Sequence, residues 1–260
     1  MKRFLSSLAA LFLVLALPGL ARAQENAPVI AAASDLQFAL SELAEQFTKE
    51  TGKTVKLSFG SSGNFFNQIK EGAPFEMYLS ADESYVFDLT KEGLTQGEGA
   101  LYAVGRIVLI VPPGSTLKAD GSLKDLASAL KAGTIKKFAI ANPEHAPYGR
   151  AARAALKTAG LWDMLEDKLV LGENVSQAAQ FATSGSTQGG IIAYSLALSP
   201  KLLALGKFDL IPAEWHDPLR QRMALTKKAG ETAKMFYAYV QSPAARAVFK
   251  KYGFVLPGEK

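Results

Sequence analysis

Four places in the chain share one local setting. Ser34, the pair Ser61 and Ser62, the segment Ala146-Pro147-Tyr148-Gly149-Arg150 and the run Asn174-Val175-Ser176 each follow a short apolar stretch and open one with helical spacing. The backbone N–H groups of a first helical turn have no partner inside the helix and carry about half a positive charge. A strand that hands over to a helix through a small hydroxyl residue can therefore hold an anion. The four junctions supply hydroxyls, amides and helix N-termini, all donors and none a full positive charge. Such a set suits a small, fully ionised oxyanion stripped of water. Each bond to a charged ligand contributes about 1.5 to 3 kcal/mol net. Five to seven of them, less desolvation, leave micromolar or better binding, about 8 kcal/mol. A guest whose proton leaves below neutral pH needs no acceptor, which favours sulfate-like over phosphate-like ions. Each junction also has a plainer reading: Ser34 as the cap of its own helix, and Ser61 to Gly63 as a flexible turn.

Catalytic patterns are missing at these places. Neither Gly60-Ser61-Ser62-Gly63 nor Gly185-Ser186-Thr187-Gln188-Gly189 has the Gly-x-Ser-x-Gly spacing of a nucleophile elbow. No Walker loop, His-Glu-x-x-His run or Gly-x-Gly-x-x-Gly follows a strand. The chain holds two histidines, His145 and His216, and no cysteine, so neither a serine triad nor a structural zinc site has much to draw on. The chain is expected not to be an enzyme; an exported serine hydrolase is the alternative from a different class.

The elements that must position the junctions follow from hydrophobic period. Val29 to Ala33 is apolar on both faces, as in a buried strand, and Leu36, Leu40, Leu43 and Phe47 then recur at helical spacing. Val55 to Phe59 alternates; Phe75 to Ser80, Arg106 to Val111, Phe138 to Ala141, Leu169 to Leu171 and Gly190 to Tyr194 also read as strands. Weaker strands lie at Phe208 to Ile211 and Arg222 to Leu225. Helices are expected over Glu83 to Lys91, Leu123 to Leu130, Ala151 to Ala159, Thr232 to Tyr239 and Pro243 to Tyr252. Strand and helix alternate throughout, which predicts an α/β fold with mainly parallel sheet.

Lys2 and Arg3 precede an apolar run from Phe4 to Leu17 and the small-residue site Ala21-Arg22-Ala23, the pattern of a secretory signal peptide over residues 1–23. Its removal lowers Lys plus Arg from 29 to 26 against 24 acidic residues, so the net charge falls from +5 to +2. Nothing in that balance calls for nucleic acid, and no later stretch is apolar enough to span a bilayer. A soluble periplasmic monomer is expected.

Six motifs in order carry a resemblance: Ala31-Ala32-Ala33-Ser34, Phe59-Gly60-Ser61-Ser62, Gly72-Ala73-Pro74 through Met77 to Leu79-Ser80-Ala81-Asp82, Asn142 to Arg150, Gly172-Glu173-Asn174-Val175, and Gly190-Ile191-Ile192-Ala193-Tyr194. Together they resemble the periplasmic molybdate-binding proteins of molybdate ABC importers, over essentially the whole chain after the leader. The resemblance implies a two-lobed type II periplasmic binding fold with the ligand cleft between lobes. Placed here, residues 24–104 and 219–260 form lobe one and 105–218 lobe two, joined by crossovers near Val104 to Ile107 and Gln221 to Leu225. It implies no cofactor and a ligand, molybdate or tungstate, held through its oxygens by the hydroxyls and amides of Ser34 and Ser62, the amides of Tyr148 and Val175 and the phenol of Tyr194, with no direct metal ligand. Of these, Tyr194 comes from the resemblance alone. It further implies delivery to an ABC permease with a cytoplasmic ATPase; sulfate and thiosulfate are the alternative guests. Two departures stand out: Glu76, where the family has Asp, and Tyr148, at a position often small. Arg150 is expected at the rim, steering anions without touching them.

Overall fold

The computed structural model describes residues 27–259, so the leader expected over residues 1–23 lies outside the described residues. The chain runs β1 (Val29–Ala33), α1 (Gln37–Thr51), β2 (Lys56–Gly60), α2 (Ser62–Lys70), β3 (Phe75–Ser80), α3 (Glu83–Lys91) and β4 (Ala100–Gly105). It continues through β5 (Ile107–Val111), α4 (Lys124–Lys131), β6 (Phe138–Ala141), α5 (Pro147–Thr158), α6 (Trp162–Leu165), β7 (Leu169–Gly172), α7 (Val175–Thr183) and β8 (Gly190–Ala193). Then come α8 (Tyr194–Ala197), α9 (Pro200–Leu203), β9 (Lys207–Leu210), β10 (Leu219–Leu225), α10 (Glu231–Val240) and α11 (Pro243–Lys251).

These strands make two five-stranded sheets, ordered β2-β1-β3-β10-β4 and β7-β6-β8-β5-β9. In each, three strands that feed helices pair in parallel, and the strands linking the sheets pair antiparallel: β10 with β3 and β4, β5 with β8 and β9. The sheets are thus mixed, where alternation alone predicts mainly parallel pairing. The reason is topological. β5 enters its sheet directly from β4 through Arg106, and β10 returns to the first sheet across the same gap, so neither follows a crossover helix of its own sheet and each runs against its neighbours.

Burial explains why each unit holds together without disulfides. Around the first sheet Ile30, Leu40, Leu43, Phe47, Met77, Phe236 and Phe249 are almost fully buried, and the Phe47 ring meets Phe236 edge-on with centroids 5.2 Å apart. Helices α10 and α11 therefore return to pack on the first sheet although they close the chain. Each such ring contributes about 1.5 to 3 kcal/mol by leaving water. The second sheet is covered by its own cluster, centred on Val108, Ile110, Phe138, Ile140, Leu156 and Ile192.

Candidate anion site between the lobes

Register sets the site. Ala33 pairs with Gly60, so Ser34 and Ser61 leave adjacent parallel strands at the same level; Ala141 pairs with Gly172, so Asn142 and Glu173 do the same in the other sheet. Ligands in open α/β sheets lie at these carboxyl ends. Helix starts then face each other across the gap. Ser62 is the first residue of α2, Pro147 occupies the first turn of α5 where its missing N–H costs nothing, and Val175 begins α7 behind Asn174. The Asn174 side chain accepts from Ser176 and Gln177, which leaves the Val175 amide outside its reach.

Ser34, Ser62, Tyr148 and Val175 line one small cavity, together with Asp35 and Ser61. Neither lysine nor arginine is among its lining residues. A larger groove beside Pro112 to Leu117 and Leu203 to Lys207 lies away from all four junctions. The lobes meet around the cavity. Ser176 Oγ donates to Ser34 O at 2.8 Å, Ser61 Oγ donates to His145 O at 2.7 Å, and the Gly63 amide donates to the same carbonyl at 3.0 Å. Gly63 has to be glycine for this approach, because a Cβ there would stand 2.6 Å from His145 O.

Tyr194 lies outside this set. It opens α8, its amide donates to Arg106 O, and its ring packs on Phe208 at 5.9 Å and against Gly253. Its place as the first helical residue turns the ring from the cavity toward the C-terminal segment. Arg150 is not a free rim charge either: it pairs with Asp82 at 2.5 Å and donates to the Tyr85 hydroxyl at 3.0 Å, both in the opposite lobe. Glu76 has a structural place, accepting from the Gly230 amide at 2.7 Å.

The donor-only set read from sequence lacks one member. Asp35, 1% exposed, lines the cavity, and its Oδ2 accepts from Gln221 Nε2 at 2.6 Å and from the Tyr148 hydroxyl at 2.9 Å. Gln221 in turn accepts from the Tyr102 hydroxyl at 2.7 Å. The buried chain Asp35, Tyr148, Gln221, Tyr102 thus joins both lobes to both linking strands. Burial pushes the Asp35 carboxyl up to about 6, against the lowering effect of the Gln221 and Tyr148 hydrogen bonds. The Tyr148 phenol is itself raised, by burial first and then by the Asp35 charge. The adjacency Ser34-Asp35 was the available sequence signal, since a carboxylate one residue past a strand end falls at the crevice.

Ser61, His145 and Glu173 stand in line, with His145 Nδ1 2.9 Å from Ser61 Oγ and Nε2 3.6 Å from Glu173. This is not an activated serine. Ser61 gives its proton to the His145 carbonyl, so the ring N–H donates to the hydroxyl and does not take its proton. Among the described residues no group of three or more His, Asp or Glu side chains could hold a metal ion.

Comparison with known proteins fits this geometry. The profile of the bacterial extracellular solute-binding proteins matches residues 28–255. The chain is 36% identical over 249 residues to the molybdate-binding protein ModA of Rhodobacter capsulatus, covering 95% of this chain and 93% of that one. To ModA of Azotobacter vinelandii it is 37% identical over 254 residues, covering 96% and 98%. The solved Azotobacter vinelandii periplasmic molybdate-binding protein superposes with a TM-score of 0.80 at 31% identity, covering 88% of this chain and 99% of that one.

Proposed function

The chain belongs to the bacterial extracellular solute-binding protein family, and from that premise we propose that it captures molybdate outside the cytoplasmic membrane and hands it to an ABC importer. The observation that carries this reading is the convergence of four strand-to-helix junctions from two lobes on one cavity without a lysine or arginine in its lining. Ser34 and Ser62 would supply hydroxyls and amides, and Tyr148 and Val175 first-turn amides, all to the oxygens of the ion. Tungstate, with the same charge and shape, is the second guest. Sulfate is rejected by size, because donors fixed by backbone for a larger ion leave a smaller one under-bonded. Residues 24–104 and 219–260 would move as one lobe and 105–218 as the other, hinged where β4 and β10 cross. Export through the segment at residues 1–23, a periplasmic location, a monomeric state and a permease with its ATPase as partner complete the proposal. The relatives named above are binding proteins, which agrees with the absence of a catalytic constellation among the described residues.

Thermal unfolding of residues 24–260 with excess molybdate, tungstate, sulfate or phosphate tests it. A ligand at about 100 times its dissociation constant adds about 2.7 kcal/mol. For a chain of this size that is a rise of roughly 5 to 10 °C. A rise with molybdate and tungstate alone supports the reading. A rise with sulfate or thiosulfate alone moves the protein to a neighbouring transporter, and no rise with any anion overturns it.

A further inference from the structure

An anion site that contains a buried carboxylate poses an electrostatic problem. Asp35 is 1% exposed and lines the same cavity as Ser34 and Ser62. Its Oδ2 is held by Gln221 and Tyr148, while Oδ1 is buried without any hydrogen-bond partner among the described residues. The groups that face it are the Tyr148 phenol from α5, the Tyr102 phenol from β4 beyond Gln221 of β10, and Ser195 of α8, whose hydroxyl donates to the Asp35 carbonyl at 2.8 Å. Tyr78 of β3 acts on Tyr102 behind them. Among the described residues no lysine, arginine or histidine pairs with Asp35. A dianion entering this cavity meets a second negative charge in a low-dielectric setting with no cation to offset it, and like charges so placed do not both stay ionised.

We propose that Asp35 is a specificity-determining residue of the anion site: it takes up one proton as a dianion enters and carries it on Oδ1. The inference rests on the reading of the cleft as the molybdate site. The Gln221 and Tyr148 bonds keep Oδ2 an acceptor, so Oδ1 is the oxygen left to become the hydroxyl, converting a repulsive group into one more donor. Burial already raises the carboxyl to about 6, so little free energy separates its two forms near neutral pH. Selection follows. A guest that stays a dianion is admitted with a proton, and at alkaline pH, where the proton is scarce, it is held less tightly.

Titration calorimetry of residues 24–260 with molybdate, in paired buffers of different ionisation enthalpy, counts that proton. The expected uptake is about one per anion near pH 8, falling to a small fraction near pH 5, with affinity dropping about tenfold per pH unit above pH 7. Asp35→Asn, isosteric and uncharged, takes up none and its affinity stays flat with pH. His145, whose ring lies 2.9 Å from the cavity-lining Ser61 hydroxyl, is controlled by His145→Gln, which keeps the wild-type uptake. Binding without uptake overturns the inference alone, as does uptake that survives in Asp35→Asn or vanishes in His145→Gln. Should Asp35→Asn fail to fold, the wild-type profile decides, because uptake that does not vary between about pH 5 and pH 8 is equally fatal. No molybdate binding at all overturns the ligand reading beneath it.

Discussion

The Tyr148 hydroxyl donates to Asp35 Oδ2 at 2.9 Å, tying the first turn of α5 in one lobe to the turn after β1 in the other. Tyr148→Phe keeps the ring and deletes the donor. Asp35 then relies on Gln221, so the cost should be about 1 to 3 kcal/mol where the carboxyl is ionised and less where it is neutral. Thermal unfolding at about pH 8 and pH 5 separates the two cases. An equal loss at both would mean that the bond does not distinguish the charged form.

Asp35 also governs how stability varies with pH. Its native value, about 6, lies above the ordinary 3.8, so the folded state holds the proton more tightly than the unfolded one. Its favourable contribution is complete below about pH 4 and is lost as pH rises through about 6, a swing of about 3 kcal/mol for two pKa units. The wild-type chain should therefore melt higher near pH 5 than near pH 8 by more than Asp35→Asn does. In the variant at the higher pH the melting point should exceed the wild type's. Parallel slopes in the two proteins would assign the pH dependence to other groups.

How much of this was open to sequence reading depends on range. The handover at Ser34, Ser62, Tyr148 and Val175 is local: the hydrophobic period switches from strand to helix within a few residues, and glycine, serine and proline mark the switch. What is local was legible. The Asp35 network was not, because Gln221 lies 186 residues further along the chain and meets Asp35 only once β10 has returned beside β3. Strand β4 is masked in the sequence for a related reason, since Ala100 to Gly105 follows a glycine-rich turn and runs almost unbroken into the stronger signal of β5. For Tyr194, strand period says that the residue ends an apolar run but not which way its ring points after the turn.

Ser62 has two duties that can be separated. Its Oγ accepts from the Ala81 amide at 3.0 Å in a buried setting, so Ser62→Ala strands that donor and should cost about 1 to 3 kcal/mol of stability in addition to weakening anion binding. Ser34→Ala loses only the longer contact from the Ser176 amide, 3.3 Å, and should weaken binding by a similar factor with little effect on the unliganded melting point. Calorimetry and unfolding on both variants check the contrast. A destabilised Ser34→Ala with a normal Ser62→Ala would reverse the assignment.

Closure itself can be blocked at one atom. Gly63 is in the first turn of α2, and a Cβ there would press on His145 O at 2.6 Å and the Tyr85 hydroxyl at 2.9 Å. The backbone carbonyl cannot swing aside as a side chain could, so Gly63→Ala should leave each lobe folded while holding the cleft ajar. Small-angle scattering should then show no compaction on adding molybdate, and affinity should fall at least about tenfold, or 1.4 kcal/mol. Full compaction with unchanged affinity would show that the lobes close by another route.

Arg150 is the group that should set how long the closed form lasts. It spans the cleft to Asp82 at 2.5 Å and to the Tyr85 hydroxyl at 3.0 Å, with its guanidinium 5.4 Å from the Tyr85 ring centroid. Both ends of the ion pair are about one-third exposed, which tempers its strength, but the pair exists only when the lobes meet. Arg150→Met keeps the stem and removes these bonds, so the closed form loses about 1 kcal/mol and the off-rate of the anion rises about fivefold while the on-rate changes little. Asp82 is the harder partner to remove, because its Oδ1 also caps α3 by accepting from the Ser84 amide at 2.9 Å. A double-mutant cycle with Asp82→Asn, read in stopped-flow dissociation rates, isolates the pair. Additive effects in that cycle would mean that Arg150 acts through Tyr85 alone, and an unchanged off-rate in Arg150→Met would remove it from the latch.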